Sequence, residues 1–361
     1  MDAVYRLLIA GDVMLNKDPS KDRERAIVSL KNLFNVLDIN AAICDLEIPL
    51  TKRGYPSDKL IAWRASPGVS RDLKEMGFSC IVLANNHICD YGIDGLLDTL
   101  EALESQGILC VGAGRNLEEA LAPAVIQVAE GITIAMFSVS CTLPNNSAAS
   151  EERPGATPIR IRTSYEINLE RLDEEAGTLP HVHSEVYEED LERVCGAIAR
   201  SKQEGCSMVI AFLHWGVGME KQLAEYQRPL ARRLVASGCN LIIGGHAHTI
   251  HAIEVLDGVP VLYCLGNFIV DPKLMNDLFK RLSPEVAALI RQMSLKSLVA
   301  ILEFTKDGRV SLEIRPVVLD DDGMPNLVDR EEAQRILREV EKLSEEPLSW
   351  SLQGDKGCIQ L

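Results

Sequence analysis

Short apolar runs alternate with stretches of helical spacing through most of this chain, and five of the runs stop at residues able to ligate a metal ion. Leu241, Ile242 and Ile243 halt at Gly244-Gly245 and hand over directly to His246-Ala247-His248. Val4 to Ala10 halts at Gly11-Asp12, Ala41 to Cys44 at Asp45-Leu46-Glu47, and Met208 to Leu213 at His214-Trp215-Gly216. Cys80 to Leu83 opens on Ala84-Asn85-Asn86-His87. Brief apolar runs bounded by glycine and polar turn residues are buried strands, and strands that alternate with helices make an α/β fold. Open α/β sheets carry their chemistry at the carboxyl ends of strands, where these polar residues stand. In extended backbone a step of two residues puts His246 and His248 on one side, so both imidazoles are offered to one ion.

Helical spacing marks Arg23 to Leu37, Val69 to Met76, Ile93 to Gln106, Asp190 to Gln203, Leu223 to Ser237 and a charged amphipathic tail helix over Arg330 to Leu343. Further strands are expected at Ile108 to Val111 and Val259 to Leu265. Hairpins are expected for Ala124 to Val128 with Ile132 to Val139, and for Leu298 to Phe304 with Arg309 to Val318 about Asp307-Gly308. Pro144 to Glu189 is rich in Asn, Ser, Pro, Glu and Gly and reads as an irregular surface excursion in which the Arg160 to Arg162 neighbourhood can pair as an edge strand. The expected organisation is one domain over residues 1–320 and a tail over 321–361 whose helix packs on it.

The composition narrows the partners. A formal net charge of -16, from 53 acidic and 37 basic residues, disfavours nucleic acid and anionic membrane surfaces. With 47% hydrophobic residues the 361-residue chain has ample material for a large core. Its ten cysteines form no CxxC pair, which suits reduced thiols in the cytoplasm. The N-terminal apolar run is too short for a signal segment and no later stretch is long enough to span a bilayer, so an unexported protein without a membrane anchor is expected.

Taken together, Asp12, Glu47, Asn86, His87, His214, His246 and His248 supply oxygen and nitrogen groups from five strand ends, the pattern a metal cluster at one sheet edge requires. The set resembles the calcineurin-like metallophosphoesterases, and the segments IAGDVML, CDLEIPLT, LANNHICDYGIDGLLDTL, GAGRNLEEAL, LHWG, GGHAH and YCLGNFIVD are similar to the CapA family, named for capsule and poly-γ-glutamate synthesis. They run from residue 7 to about 271. The resemblance implies a four-layer α/β/β/α sandwich. It also implies one divalent ion (manganese, iron or zinc) on Asp12, Glu47 and His248 and a second on Glu47, Asn86, His214 and His246, with Glu47 bridging and His87 as general acid. Met14 stands where ordinary phosphoesterases of this kind have a histidine, so the first of these sites is expected to be the weaker. Asp45 and Cys264 stand where the family usually has Asn and Ser.

Several residues carry two readings. Asp90, three residues after His87, either orients that imidazole or stabilises a helix N-terminus. Asn267 contacts substrate or holds its own turn. His181, His183 and His251 read as solvated, and Trp215 and Phe268 as packing residues. The leading functional expectation is hydrolysis of a phosphoester by metal-bound hydroxide, on a small-molecule or peptide substrate. The alternatives are cleavage of a γ-glutamyl or other amide with the same metals, and a non-catalytic role in polyglutamate synthesis or export, which the lack of an anchor disfavours.

Overall fold

The computed structural model describes residues 3–16, 21–280, 282–285, 287, 295–305, 308–345, 348 and 350–361. Among them the strands form a ten-stranded sheet, a six-stranded sheet and two short pairs. Ala3–Met14 lies inside the larger sheet, with Ala41–Leu46, Phe78–Val82 and Leu109–Val111 following in parallel on one side. On its other side Lys296–Thr305 and Val310–Leu319 run as an antiparallel hairpin. In the smaller sheet Met208–His214 pairs in parallel with Ile132–Ser140 and with Leu241–Gly245.

Strand alternation builds the layers. Leu7 and Ile9 face a core shared with Met136, Ile210, Phe212 and Ile243 of the other sheet, whereas Leu8 and Ala10 face outward to helices. Those helices are Lys21–Val36, Val69–Met76 and Gly92–Glu104, which deliver Leu30, Phe34, Leu73, Leu96 and Leu103 to the outer face of the larger sheet. Glu188–Gln203 and Gln227–Ala236 do the same for the smaller sheet, setting Leu191, Ile198, Leu230 and Leu234 against Phe137, Ala211 and Leu213. The result is the expected α/β/β/α sandwich.

After residue 320 the chain stays on this body. Arg330–Leu343 inserts Ile336, Leu337 and Val340 into the core between the sheets, and truncating one such leucine costs about 2–5 kcal/mol. Lys356–Gln360 then pairs with Val310–Leu319, and Ser351–Gln353 extends the sheet by one more strand. These last strands were not expected, because they are short and carry little apolar alternation. Among the described residues no helix is long and apolar enough to cross a membrane, and all ten cysteines are free.

The structure corrects several local expectations. The first strand does not end before Gly11-Asp12 but runs to Met14, with an irregular register after Asp12 where Asn267–Val270 joins as a parallel partner. Val259–Leu262 is shorter than expected and is preceded by an unforeseen antiparallel strand, Ile253–Leu256. Within Pro144 to Glu189 the strand expected near Arg160 to Arg162 does form, as Ile161–Glu166, but it pairs antiparallel with the unforeseen His181–Val186 around the helix Leu169–Glu174, as an arm separate from both large sheets. Asp307, expected in a hairpin turn, lies outside the described residues.

Candidate metal centre

The carboxyl ends of strands from the two packed sheets come together at one side of the sandwich. Asp12 and Glu47 arrive from the larger sheet, His214 and His246 from the smaller, and all but His246 are fully buried. Their approach depends on missing side chains. A Cβ on Gly245 would stand 2.3 Å from Asp12 Oδ1, and one on Gly244 would stand 2.0 Å from the Tyr263 carbonyl.

His246 and His248 do not converge by strand alternation. The strand ends at Gly245, and both histidines adopt left-handed backbone, with φ of 86° and 54°. Non-glycine residues in that region hold local strain. The strained turn is secured by the His246 N–H, which donates to Asp12 Oδ2 at 3.0 Å.

One ligand atom from each of Glu47, His214 and His246 lies within 4.8 Å of the others. Asn86 Oδ1 is 2.7 Å from His214 Nε2, and His246 Nδ1 is 3.1 Å from that same nitrogen. On the other side of Glu47, His248 Nδ1 is 3.3 Å from Asp12 Oδ2 and 3.7 Å from Glu47 Oε2. Asn267 Oδ1 is 2.8 Å from His248 Nδ1, so Asn267 touches the cluster itself. The structure thus brings together Asp12, Glu47, Asn86, His214, His246, His248 and Asn267.

Asp12 Oδ1 and both Glu47 carboxylate oxygens are buried outside any well-formed hydrogen bond among the described residues, the nearest approach to Glu47 being His214 Nε2, 3.0 Å from its Oε1. Such oxygens are costly unless a cation meets them. Buried carboxylates facing three imidazoles and an amide oxygen are a donor set for a borderline divalent ion, so these residues fit the metal that the resemblance implies.

The electrostatics point the same way. Burial opposes the charge on Glu47, yet His248 and His214 hold it below the usual carboxylate range. Burial and the charge of Glu47 push Asp12 up. Despite burial, Glu47 and Asp45 raise His214 to about 10, and Glu47 and Asp12 raise His248 to about 9. His246 is held well below its ordinary value by burial and by His214 and His248. His214 and His248 thus hold a proton more tightly than an ordinary imidazole, and a divalent ion binding there would compete with those protons.

Sequence reasoning left Asp45 without a role and missed Asn85. Asp45 Oδ2 is 2.8 Å from His214 Nδ1, and its Oδ1 accepts from Asn85 Nδ2 at 2.7 Å. Burial lifts Asp45 to about 7 even though His214 works against the rise. Asp45 also lies within the overlapping group Asp12, Asp45, Glu47 and His214, but with both oxygens engaged it serves to aim His214 Nε2 at the cluster.

His87 and Asp90 form the neighbouring wall. His87 Nδ1 is 2.7 Å from Asp90 Oδ2, and Asp90 also accepts from the Trp63 backbone N–H at 2.7 Å and pairs with Lys59. Lys59 Nζ donates to the Asn86 carbonyl at 2.7 Å, and the Trp63 ring stacks on His87 at 4.8 Å. Lys59 and Trp63 belong to the loop after Pro49, which folds back through bonds from Thr51 N to the Ala65 carbonyl and from Ser57 N to the Asp90 carbonyl. That loop has no periodicity, so nothing in its sequence singled them out. His251, expected to be solvated, is buried, with Nε2 2.7 Å from the Glu220 carbonyl. Trp215 and Phe268 are buried packing residues, and the Trp215 indole donates to the Tyr263 carbonyl at 2.7 Å.

A family model described as bacterial capsule synthesis protein PGA_cap matches residues 6–272, a stretch that contains every residue of this centre. The chain is similar to the PGA biosynthesis protein CapA of Bacillus subtilis (strain 168), at 27% identity over 275 residues, covering 75% of this chain and 64% of that protein. It is similar to the capsule biosynthesis protein CapA of Bacillus anthracis, at 24% identity over 312 residues, covering 86% of this chain and 65% of that one. A probable polyglutamine synthesis accessory protein of Mycobacterium tuberculosis (strain ATCC 25618 / H37Rv) is 28% identical over 236 residues, covering 64% and 56% of the two chains. The chain therefore spans less than two thirds of the length of each of these relatives.

Proposed function

Because the chain belongs to the PGA_cap family of bacterial capsule synthesis proteins, we propose that it is a divalent-metal-dependent hydrolase whose substrate is a phosphoester, with His87 as general acid. The observation that carries this reading is the pairing of a ligand set, three of whose buried carboxylate oxygens make no well-formed hydrogen bond, with a neighbouring imidazole held by Asp90 and Trp63 and, through Asp90, by Lys59. A metal-only structural site has no need of that second assembly. Asp12, Glu47 and His248 would hold one ion and Glu47, Asn86, His214 and His246 the other. Bound there, divalent ions supply Lewis acidity toward a substrate oxygen and toward water.

The residues of the chain do the rest. Asp45 fixes the ring of His214 through Nδ1 and leaves Nε2 toward the cluster, whereas Asn267 Oδ1 meets His248 at Nδ1, the nitrogen that itself faces Asp12 and Glu47. Asp90 engages Nδ1 of His87 and so leaves Nε2 as the nitrogen that meets substrate. In the reaction a water oxygen forms the new bond to phosphorus and gives up a proton to solvent, the bond from phosphorus to the leaving oxygen breaks, that oxygen takes the proton from His87, and a proton from solvent restores His87. Lys59 balances the charge of Asp90, and Trp63 covers one face of the imidazole against water.

A second reading, cleavage of a γ-glutamyl amide, is favoured by the relatives named for PGA and polyglutamine synthesis. Here the proton from His87 goes to the departing nitrogen. Both readings are tested by turnover of aryl and alkyl phosphates and of γ-glutamyl peptides after chelation and re-addition of manganese, iron or zinc. Metal-restored phosphatase activity lost in His87→Ala supports the first, and peptide cleavage alone replaces it with the second. Inactivity on both series with the metal bound leaves a non-catalytic role in capsule synthesis.

A further inference from the structure

We propose that His181, His183 and Glu225 form a second, peripheral site for a transition-metal ion such as zinc, which fastens the 161–186 arm to the loop that follows His214. One ligand atom from each of these side chains lies within 4.8 Å of the others, in a group that shares no residue with the buried centre. The strand His181–Val186 puts residues 181 and 183 on one face, and their rings stand 4.4 Å apart at 72°. Glu225 comes from a different element, just ahead of the helix Gln227–Ala236.

The surroundings orient the ligands as a metal requires. His183 Nε2 is 3.0 Å from Glu166 Oε2, the acid directly across the strand pair from His181. That carboxylate takes the proton on Nε2 and leaves the lone pair on Nδ1, which faces Glu225 Oε1 at 3.5 Å. Carboxylate-imidazole-metal relays have this construction. The other oxygen of Glu225 accepts from the Ser184 backbone N–H at 2.7 Å, which fixes the direction of the first. Two imidazoles and one carboxylate, with a position left for water, suit zinc rather than magnesium or calcium.

An ion here would bear on the buried centre through the 216–226 loop. The Gly216 N–H donates to the Tyr226 hydroxyl at 2.6 Å, and the Tyr226 N–H donates to Ser184 Oγ at 3.3 Å. Farther along, the Met219 N–H donates to the Ala247 carbonyl at 3.0 Å, inside the turn that carries His246 and His248. The arm, the loop and the histidine turn are thus joined in series, and zinc would lock the first link.

The test uses the full chain and Zn²⁺ alone. Bound zinc at saturation is counted for the unchanged protein, for His181→Ala/His183→Ala and for His214→Ala, with thermal unfolding of each zinc-free protein as the control for folding. The double variant should bind one equivalent fewer, whereas His214→Ala should lose zinc from the buried centre and keep the peripheral equivalent. Glu166→Gln should weaken the peripheral equivalent by roughly 10- to 100-fold. Zinc should also slow tryptic cleavage within the arm, at Arg162 and Arg171, in the unchanged protein and not in the double variant. Equal zinc content in the unchanged protein and a folded double variant would overturn the proposal, as would equal cleavage rates with and without zinc in the unchanged protein.

Discussion

Asp45 Oδ2 lies 2.8 Å from His214 Nδ1, a contact that joins the strand ends of two separate sheets across 169 residues of chain. Both partners of Asp45 are donors, since Asn85 Nδ2 reaches its other oxygen at 2.7 Å. An asparagine at this position would have to turn its NH₂ group toward one of them. Asp45→Asn should therefore cost about 1–3 kcal/mol of stability and weaken metal binding by roughly 10- to 100-fold. Urea unfolding and metal titration of the same samples check this, and unchanged metal affinity would remove the positioning role of Asp45.

Release of metal should occur in two steps. Glu47, His214 and His246 with Asn86 offer two nitrogens, whereas Asp12 and His248 have Met14, buried two residues along the strand, where a second nitrogen would strengthen the site. Graded chelation followed by elemental analysis should remove one ion well before the other, and His214→Ala should lose the tighter one. Simultaneous loss of both ions contradicts the assignment.

His87 should matter most where the leaving oxygen is most basic. His87→Ala should lower kcat/KM for an alkyl phosphate by roughly 10²- to 10⁴-fold and cost much less with a nitrophenyl ester at unchanged metal content. Asp90→Asn, which removes the acceptor of His87 Nδ1, should show the same trend more weakly. Equal losses across a leaving-group series for metallated His87→Ala would exclude proton donation by His87.

The C-terminal strand should confer acid-sensitive stability through Glu313. This buried carboxylate accepts from Lys356 Nζ at 2.6 Å and Arg6 Nη2 at 3.3 Å, and also bonds Arg315. Burial alone would raise its pKa, but Arg315 and Lys356 hold it below the ordinary 4.5. Because the folded-state value is depressed, the stabilisation is complete above the unfolded value and is lost as pH falls through the folded one. Glu313→Gln should cost roughly 1.5 to 3 kcal/mol near neutral pH, with the gap to the unchanged protein closing in acid. Urea midpoints measured across that range decide it, and a gap independent of pH would contradict the charge argument.

Local pattern in the sequence determined much of this protein. Apolar runs ending near Asp45, Asn85, His214 and Gly244 marked strands and their carboxyl ends, although the first strand continues past Gly11 to Met14, and helical spacing placed the helices Val69–Met76 and Arg330–Leu343. Periodicity can do this because burial repeats every two residues in a strand and every three to four in a helix. Only the tertiary structure decided which ends meet. His214 finds Asp45 and Asn86 on the opposite sheet, Lys59 and Trp63 come from a loop without periodicity, and His246 and His248 converge through left-handed backbone rather than an extended strand. The physical reason is that a residue's own neighbours set the face on which its side chain leaves the backbone. The partner it meets is set by closure of the chain around a shared core, in which Leu7 and Ile9 pack with Ile210 and Ile243.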